Sequence, residues 1–235
     1  MSKANLLQIN PRDYDGTVLL REEILSWFEQ EDAFWVYQGD PSPEKAHAEL
    51  ASGLCSNGYF DVPRVLKYPN IAEILGRQLG RLLKQEPVAK EVNWVVSSAY
   101  SAIVFGHEVA KELGVIFMNT EKDPADAKKQ LWQRQTIPLG SVVLDVEELV
   151  TTTQTLLAVR RAVTEGNANE VKFLDIAGAG ILRPAKLLSD YDGIKIVSLV
   201  PTEIQNFKPE ECPYCKAGSP RYKPKTHWKE LTGKG

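Results

Sequence analysis

Between residues 92 and 200 the chain alternates short apolar runs with segments of helical periodicity, and this alternation constrains its fold more than any other feature. The runs that predict strands lie near residues 93–97, 115–119, 141–146, 171–176 and 194–199. Between them, Ser101–Leu113 and Thr155–Ala162 repeat apolar residues at helical spacing. Strands and helices that alternate in this way predict an α/β fold with a five-stranded, mainly parallel sheet flanked by helices.

Composition narrows the class of protein. The 28 Lys and Arg residues against 31 Asp and Glu residues give a formal net charge of -3, so the chain has no overall attraction to nucleic acid or to an anionic membrane surface. The sequence has no apolar run long enough to span a bilayer and no secretory signal. We therefore expect a soluble, cytoplasmic protein with neither nucleic-acid nor membrane partners.

The residues after the third apolar run carry the strongest functional pattern. Val142–Thr155 reads VVLDVEELVTTTQT, in which a strand ends in the adjacent acids Glu147 and Glu148 and a hydroxyl-rich turn opens a helix. Adjacent carboxylates can accept both hydrogen bonds of a ribose diol, and the free N–H groups of a helix start suit a phosphate. The pattern predicts a ribose 5-phosphate pocket. The alternative is a pair of solvated glutamates beside threonines that only cap a helix.

The same segment resembles the phosphoribosyl pyrophosphate (PRPP) signature of type I phosphoribosyltransferases. Three further segments narrow the resemblance to the orotate phosphoribosyltransferase family, and all four occur in the family's order. They are SGLCSNGYFD (Ser52–Asp61), VVSSAYSAIVFGHEVAKELGV (Val95–Val115) and PEECPYCKAGSPRYKP (Pro209–Pro224). The resemblance implies a type I phosphoribosyltransferase-like fold with a hood formed by the N-terminal region and the C-terminal tail.

The resemblance also implies an organisation of the chain and a reaction. We expect an N-terminal hood region over residues 1–70, a phosphoribosyltransferase core over 71–200 and a C-terminal hood or tail segment over 201–235, in one compact unit. The implied enzyme transfers the 5-phosphoribosyl group from PRPP to orotate, giving orotidine 5'-monophosphate and pyrophosphate in pyrimidine nucleotide biosynthesis. Mg²⁺ bound through PRPP is the implied cofactor. A homodimer is implied because the family's lid loop crosses to the partner's site.

The residue pattern and the resemblance together give candidates for each part of this site, and among the cations of the polar segment the resemblance favours Arg134. The catalytic candidates are Glu147, Glu148, Lys129 and Arg134. The PRPP-binding candidates are Ser98, Ala99, Tyr100, Ser101, Thr151, Thr152, Thr153, Gln154 and Thr155. The orotate-binding candidates are Tyr59, Phe60, Thr151 and Arg183.

Each assignment has a structural alternative. Lys122 and Lys128 are further cations in the polar segment over residues 120–140, which is long enough to predict a lid, but its lysines are equally typical of a solvated loop. Tyr59 and Phe60 could be core aromatics, and Arg183 a surface residue.

Two segments depart from the family's pattern. Thr153 occupies the position at which the family signature has glycine. Ser97–Ala102 reads SSAYSA where the family has a glycine-rich pyrophosphate loop. Glycine permits a positive φ and a close backbone approach to phosphate, which a residue with a Cβ does not adopt freely. The departures leave two other functions open, a non-catalytic PRPP or nucleotide-binding protein on the same fold and a transferase for another base.

Cys212 and Cys215 form a lone C-x-x-C pair. A structural zinc site needs four ligands, and the remaining cysteine, Cys55, and the three histidines are distant in sequence. We therefore expect structural thiols and no bound metal.

Overall fold

A computed structural model describes residues 5–126 and 129–233 of the chain. Within them the strands are β1 (Phe34–Val36), β2 (His47–Glu49), β3 (Cys55–Ser56), β4 (Gly58–Phe60), β5 (Trp94–Ser97), β6 (Ile116–Asn119), β7 (Glu121–Lys122), β8 (Gln130–Leu131), β9 (Val142–Val150), β10 (Lys172–Leu182), β11 (Lys195–Pro201), β12 (Asn206–Phe207) and β13 (Arg221–Tyr222). The helices are α1 (Arg21–Gln30), α2 (Pro63–Leu66), α3 (Pro69–Lys84), α4 (Ala102–Leu113), α5 (Gln154–Gly166), α6 (Pro213–Lys216) and α7 (Trp228–Thr232).

The central sheet has the strand order β11-β10-β9-β5-β6, and every neighbouring pair in it is parallel. All five predicted apolar runs are strands of this sheet, so the predicted α/β fold with a five-stranded parallel sheet is confirmed. Strand β9 occupies the middle position and pairs with β5, which ends at Ser97. The segment that carries the two glutamates therefore lies beside the loop that follows β5.

Helices cover both faces of the sheet because the strands present apolar side chains alternately to either side. On β5, Val95 packs in the large core with α3 and α4, whereas Trp94 and Val96 pack with Val159 of α5. Helices α3 and α4 approach closely at Gly76, where an added Cβ would lie 2.4 Å from the Cβ of Glu108. None of the described helices combines the length and apolar character needed to cross a membrane.

A second sheet is assembled from residues far apart in the sequence. Its strand order is β12-β3-β2-β13, so the hairpin formed by β2 and β3 lies between two strands from the C-terminal part of the chain. Strand β2 of this hood sheet contacts β4 of the short β1–β4 pair. The expected division of the chain at residues 70 and 200 stays a prediction.

The polar segment over residues 120–140 has structure of its own. Strands β7 and β8 form a small antiparallel hairpin, and its intervening residues include Lys128, which lies outside the described residues. After the hairpin, Trp132 and Ile137 are buried against α5. The side chain of Asn167 bonds to both backbone groups of Ile137, which fixes the segment where it returns to the core.

Candidate active site

A cleft of about 1010 Å³ opens at the carboxyl ends of β5 and β9, where ligands bind in open parallel sheets. Most of the predicted PRPP-binding and catalytic residues line it. They are Ser98, Ala99, Tyr100, Ser101, Lys129, Glu147, Glu148, Thr151, Gln154 and Thr155. The structure therefore brings the two predicted phosphate loops and both glutamates to one cavity.

Glu147 holds the loop after β5 in place. Its carboxylate accepts a hydrogen bond from the backbone N–H of Ser98 at 2.9 Å and another from the Ser98 hydroxyl at 2.8 Å. The side chain is almost fully buried. Burial, with the neighbouring charge of Glu148, raises the pKa of Glu147 to about 8 although both bonds from Ser98 oppose this shift.

Glu148 occupies a different environment from Glu147. Successive side chains of a strand point to opposite faces of the sheet. Glu147 therefore faces Ser98, and Glu148 lies on the opposite face, where it lines a small apolar cavity together with Phe105. Burial raises the pKa of Glu148, and the ammonium of Lys122 acts in the opposite direction. Lys122 itself lies 5.7 Å from the centre of the Tyr100 ring, at the rim of the cleft.

The turn after β9 adopts backbone angles that do not require glycine. Among the described residues, only Asp32 and Asp192 combine a side chain with a positive φ, and Thr153 has a φ of -75°. The Thr153 hydroxyl donates to the carboxylate of Asp192. The departures from the glycine-rich pattern therefore impose no positive-φ strain in either phosphate loop.

An ion pair between Arg160 and Asp145 fixes helix α5 to strand β9. Arg160 donates two hydrogen bonds to the fully buried carboxylate of Asp145, at 2.9 and 2.7 Å. A helix of thirteen residues begins at Gln154, and its first backbone N–H groups have no acceptor within the helix. These N–H groups and Thr155 lie at the cleft and can bind a phosphate.

Arg183 is buried, and this contradicts the surface alternative. Its backbone N–H donates to the carbonyl of Val150 at 2.8 Å, which places it beside Thr151 at the end of β9. Two nitrogens of its guanidinium group, Nε and Nη1, are buried and have no hydrogen-bond partner among the described residues. Burial lowers the pKa of Arg183, and its charge in turn acts on the nearby Tyr59. A planar anion such as a carboxylate would satisfy these nitrogens.

Six predicted residues do not line the cleft, namely Arg183 and five others. Thr152 is exposed on the turn, and Thr153 is buried with Asp192. Arg134 is largely exposed and paired with Glu121. Phe60 packs between Phe28 and Phe34, so for this residue the structural alternative describes its place, while its neighbour Tyr59 is half-buried.

The cleft also contains side chains that the sequence analysis did not single out. They are Asp126, Gln130, Leu149, Leu157, Ala158 and Arg161. Arg161 follows Gln154 by seven residues, which is two helical turns along the same face of α5. That spacing is a signal in the sequence, whereas the approach of Gln130 depends on the β7–β8 pairing.

The structure corrects the ligand count behind the expectation of no metal. Cys212 and Cys215 have two further potential ligands, because the hood sheet brings His47 and Cys55 to them. The four ligand atoms all lie within 4.8 Å of one another. Strand pairing over more than 150 residues of sequence separation joins these residues, and nothing in the local spacing of the cysteines predicts that pairing.

Comparisons with known proteins agree with this geometry. No protein-family model matches the chain. It is 31% identical over 180 residues to an orotate phosphoribosyltransferase of Caldicellulosiruptor bescii, covering 77% of this chain and 88% of that one. It is 29% identical over 206 residues to another from Pelotomaculum thermopropionicum, covering 88% and 97%. Leishmania donovani UMP synthase is similar in fold, with a TM-score of 0.55 and 15% identity over 81% of this chain, which spans 38% of that longer protein.

Proposed function

Because this chain belongs to the orotate phosphoribosyltransferase family, we propose that it transfers the 5-phosphoribosyl group of PRPP to orotate and releases pyrophosphate. The observation that carries the proposal is the buried guanidinium of Arg183, which has two unpartnered nitrogens beside the end of β9. A buried cation without a partner is costly, and a carboxylate would compensate it. Orotate carries such a carboxylate on its ring.

PRPP is proposed to lie across the cleft between the two loops. Its 5-phosphate would bind the N–H groups at the start of α5 and the hydroxyls of Thr151 and Thr155. Its ribose diol would bond to Glu147 and Glu148, whose carboxylate oxygens each have more than one lone pair to offer. Glu147 would then link the diol to the pyrophosphate loop, because it already holds Ser98.

The pyrophosphate would lie over Ser98–Ser101. Lys122 and Lys129 are the cations placed to attract its charge. The oxygen donors of the cleft, Glu147 and Glu148 above all, suit Mg²⁺, which prefers carboxylates together with substrate oxygens. When bound, Mg²⁺ would supply charge neutralisation for the departing pyrophosphate.

Orotate would be held by Arg183, with the hydroxyl of Thr151 and the ring of Tyr59 alongside. Burial and the neighbouring carboxylate of Asp61 raise the pKa of Tyr59 to about 12, and the Tyr59 hydroxyl donates to Asp61 at 3.4 Å. The ribosyl group then passes through an oxocarbenium-like state that needs no protein nucleophile. The chain's contribution is to orient the two substrates, stabilise the developing charge and exclude water.

The proposal is tested by assaying the pure protein with PRPP, Mg²⁺ and a panel of pyrimidine and purine bases while following pyrophosphate release. Orotate should be the preferred base. Arg183→Ala should raise the KM for orotate roughly tenfold or more, because a charge-assisted pair is lost, with a smaller effect on the KM for PRPP. Arg183→Lys keeps the positive charge but not the planar guanidinium. Its KM for orotate should therefore lie between those of the wild type and Arg183→Ala.

Arg12→Ala is the matched control, since Arg12 is exposed on the surface. Equal increases in both KM values for Arg183→Ala would contradict the assignment of this residue to orotate. Binding of PRPP without pyrophosphate release with any base would refute the transferase function and leave the nucleotide-binding alternative.

A further inference from the structure

The hood contains a cluster of three cysteines and one histidine that the proposed reaction does not use. His47 lies on β2 and Cys55 on β3. Cys212 immediately precedes α6, and Cys215 lies within that helix. His47, Cys55 and Cys212 are completely buried, and Cys215 is half-buried. These are all the cysteines of the chain, brought together on one side of the hood sheet.

Two separations within the cluster match the edges of a tetrahedral metal site. The sulfurs of Cys55 and Cys215 are 3.6 Å apart, and Cys215 Sγ lies 3.4 Å from His47 Nε2. With metal–ligand distances of about 2.0–2.3 Å, as for zinc, the edges of a tetrahedral site are roughly 3.5–3.8 Å. The two sulfurs are too far apart for a disulfide, whose bond is about 2.05 Å.

The imidazole of His47 is oriented for coordination through Nε2. Its Nδ1 lies 2.9 Å from the hydroxyl oxygen of Ser219. The Ser219 hydroxyl donates to the carbonyl of Lys45, so it is left to accept the proton of Nδ1. The lone pair of the imidazole therefore sits on Nε2, which faces Cys215. A hydrogen bond that fixes the tautomer in this way is the usual outer-shell arrangement of a metal-binding histidine.

Aromatic rings enclose the cluster, and a guanidinium lies beside it. The rings of Tyr37, Tyr214 and Phe207 pack around the cysteines. Arg221 Nη1 lies 4.0 Å from Cys55 Sγ. Zn²⁺ with three thiolates and a neutral imidazole has a net charge of -1, and the guanidinium of Arg221, which also pairs with Glu49, is the cation beside it.

We propose that His47, Cys55, Cys212 and Cys215 bind one Zn²⁺ in a closed, structural Cys₃His site. Binding displaces the protons of the three thiols, and four protein ligands leave no position for a substrate. The site joins the β2–β3 hairpin to the C-terminal part of the hood. It is independent of the proposed transferase function and holds whichever base the enzyme uses.

The first test measures zinc in the untagged, full-length protein, purified under reducing conditions without chelators. Elemental analysis should find about one zinc per chain. Removing it with a strong chelator should lower the Tm by roughly 5–15 °C, and Zn²⁺ but not Mg²⁺ should restore it. Cobalt(II) added to the zinc-free protein should give the charge-transfer absorption of thiolate ligands.

The variants locate the site. Cys215→Ser and His47→Ala should each reduce the zinc content to well below one per chain, whereas His107→Ala, which alters an exposed histidine of α4, should leave it unchanged. Where a variant fails to fold, the chelation and cobalt results on the wild type decide. The proposal is refuted by protein that lacks zinc and does not respond to it, by zinc that persists in both variants, or by a mass two hydrogens low that indicates a disulfide.

Discussion

Glu147 links the protonation of the cleft to the stability of the protein. Burial and the charge of Glu148 raise its pKa from 4.5 to about 8 in the folded protein. A carboxyl group with a raised pKa binds its proton more tightly when folded, so its contribution to stability is present at low pH and is lost as the pH rises towards 8. The pH window of the effect is therefore about 4.5 to 8.

Glu147→Gln should remove this dependence. Over that window, the free energy of unfolding of the wild type should fall relative to the variant by about 1 kcal/mol per pH unit. Urea denaturation of both proteins at several pH values gives the difference directly. Glu91→Gln, at an exposed glutamate, is the control and should track the wild type. A difference between wild type and Glu147→Gln that is constant with pH would show that Glu147 keeps an ordinary pKa.

Thr153 illustrates what sequence could and could not predict about single residues. Its position in the turn was predictable from the order of strand, acids, hydroxyls and helix. Its backbone angles were not, because the family's glycine suggested a positive φ and the chain instead adopts -75° with the hydroxyl bonded to Asp192. Asp192 comes from a loop that no local pattern connects to this turn.

A buried ion pair joins helix α5 to the sheet, in addition to the apolar packing of the helix. Arg160 and Asp145 are bonded through two nitrogens and both carboxylate oxygens, in a site where the Asp145 side chain has no exposed surface. Arg160→Ala would leave that carboxylate buried without its partner. Breaking such a pair typically costs about 3–5 kcal/mol of stability.

We expect this loss in the free energy of unfolding of Arg160→Ala, measured by urea denaturation at neutral pH. Arg161→Ala removes the neighbouring, exposed arginine and should change stability by less than about 0.5 kcal/mol. PRPP affinity should also fall in Arg160→Ala, because the turn that starts α5 would lose its anchor. Equal stability of the two variants would show that the ion pair does not hold the helix.

The strands of the core were predictable because their short apolar runs alternate regularly with segments of helical periodicity. The positions at which these strands end were less predictable. Strand β9 continues four residues past Val146 and β10 six residues past Ile176. The polar residues of β9 find buried partners, and at Gly180 the strands come so close that an added Cβ would lie 2.8 Å from the carbonyl of Glu148. Such contacts between strands are absent from the pattern of a single segment.

We propose that the protein forms the homodimer that the family resemblance implies. Val104 on α4 and Ile116 on the edge strand β6 are exposed apolar side chains on this side of the central sheet. Light scattering coupled to size exclusion should give twice the chain mass of 26.2 kDa at micromolar concentration. Val104→Glu should shift the protein towards the monomer by placing a charge on this surface.

Val88→Glu is the matched control, because Val88 is similarly exposed but lies in the short helical turn before β5. The mass of a single chain for the wild type would contradict the dimer. Dissociation by both variants to the same extent would show that the surface around Val104 is not the interface.

The strand order of the hood sheet also determines when its strands can pair during synthesis. Its inner strands, β2 and β3, leave the ribosome long before β12 and β13, and His47 is separated from Ser219 by 172 positions. During synthesis the five strands of the central sheet can all pair before the hood receives its outer strands. Both edges of the β2–β3 hairpin therefore stay unpaired until β12 and β13 have been synthesised. Nascent chains halted before Asn206 should expose these edges to chaperones.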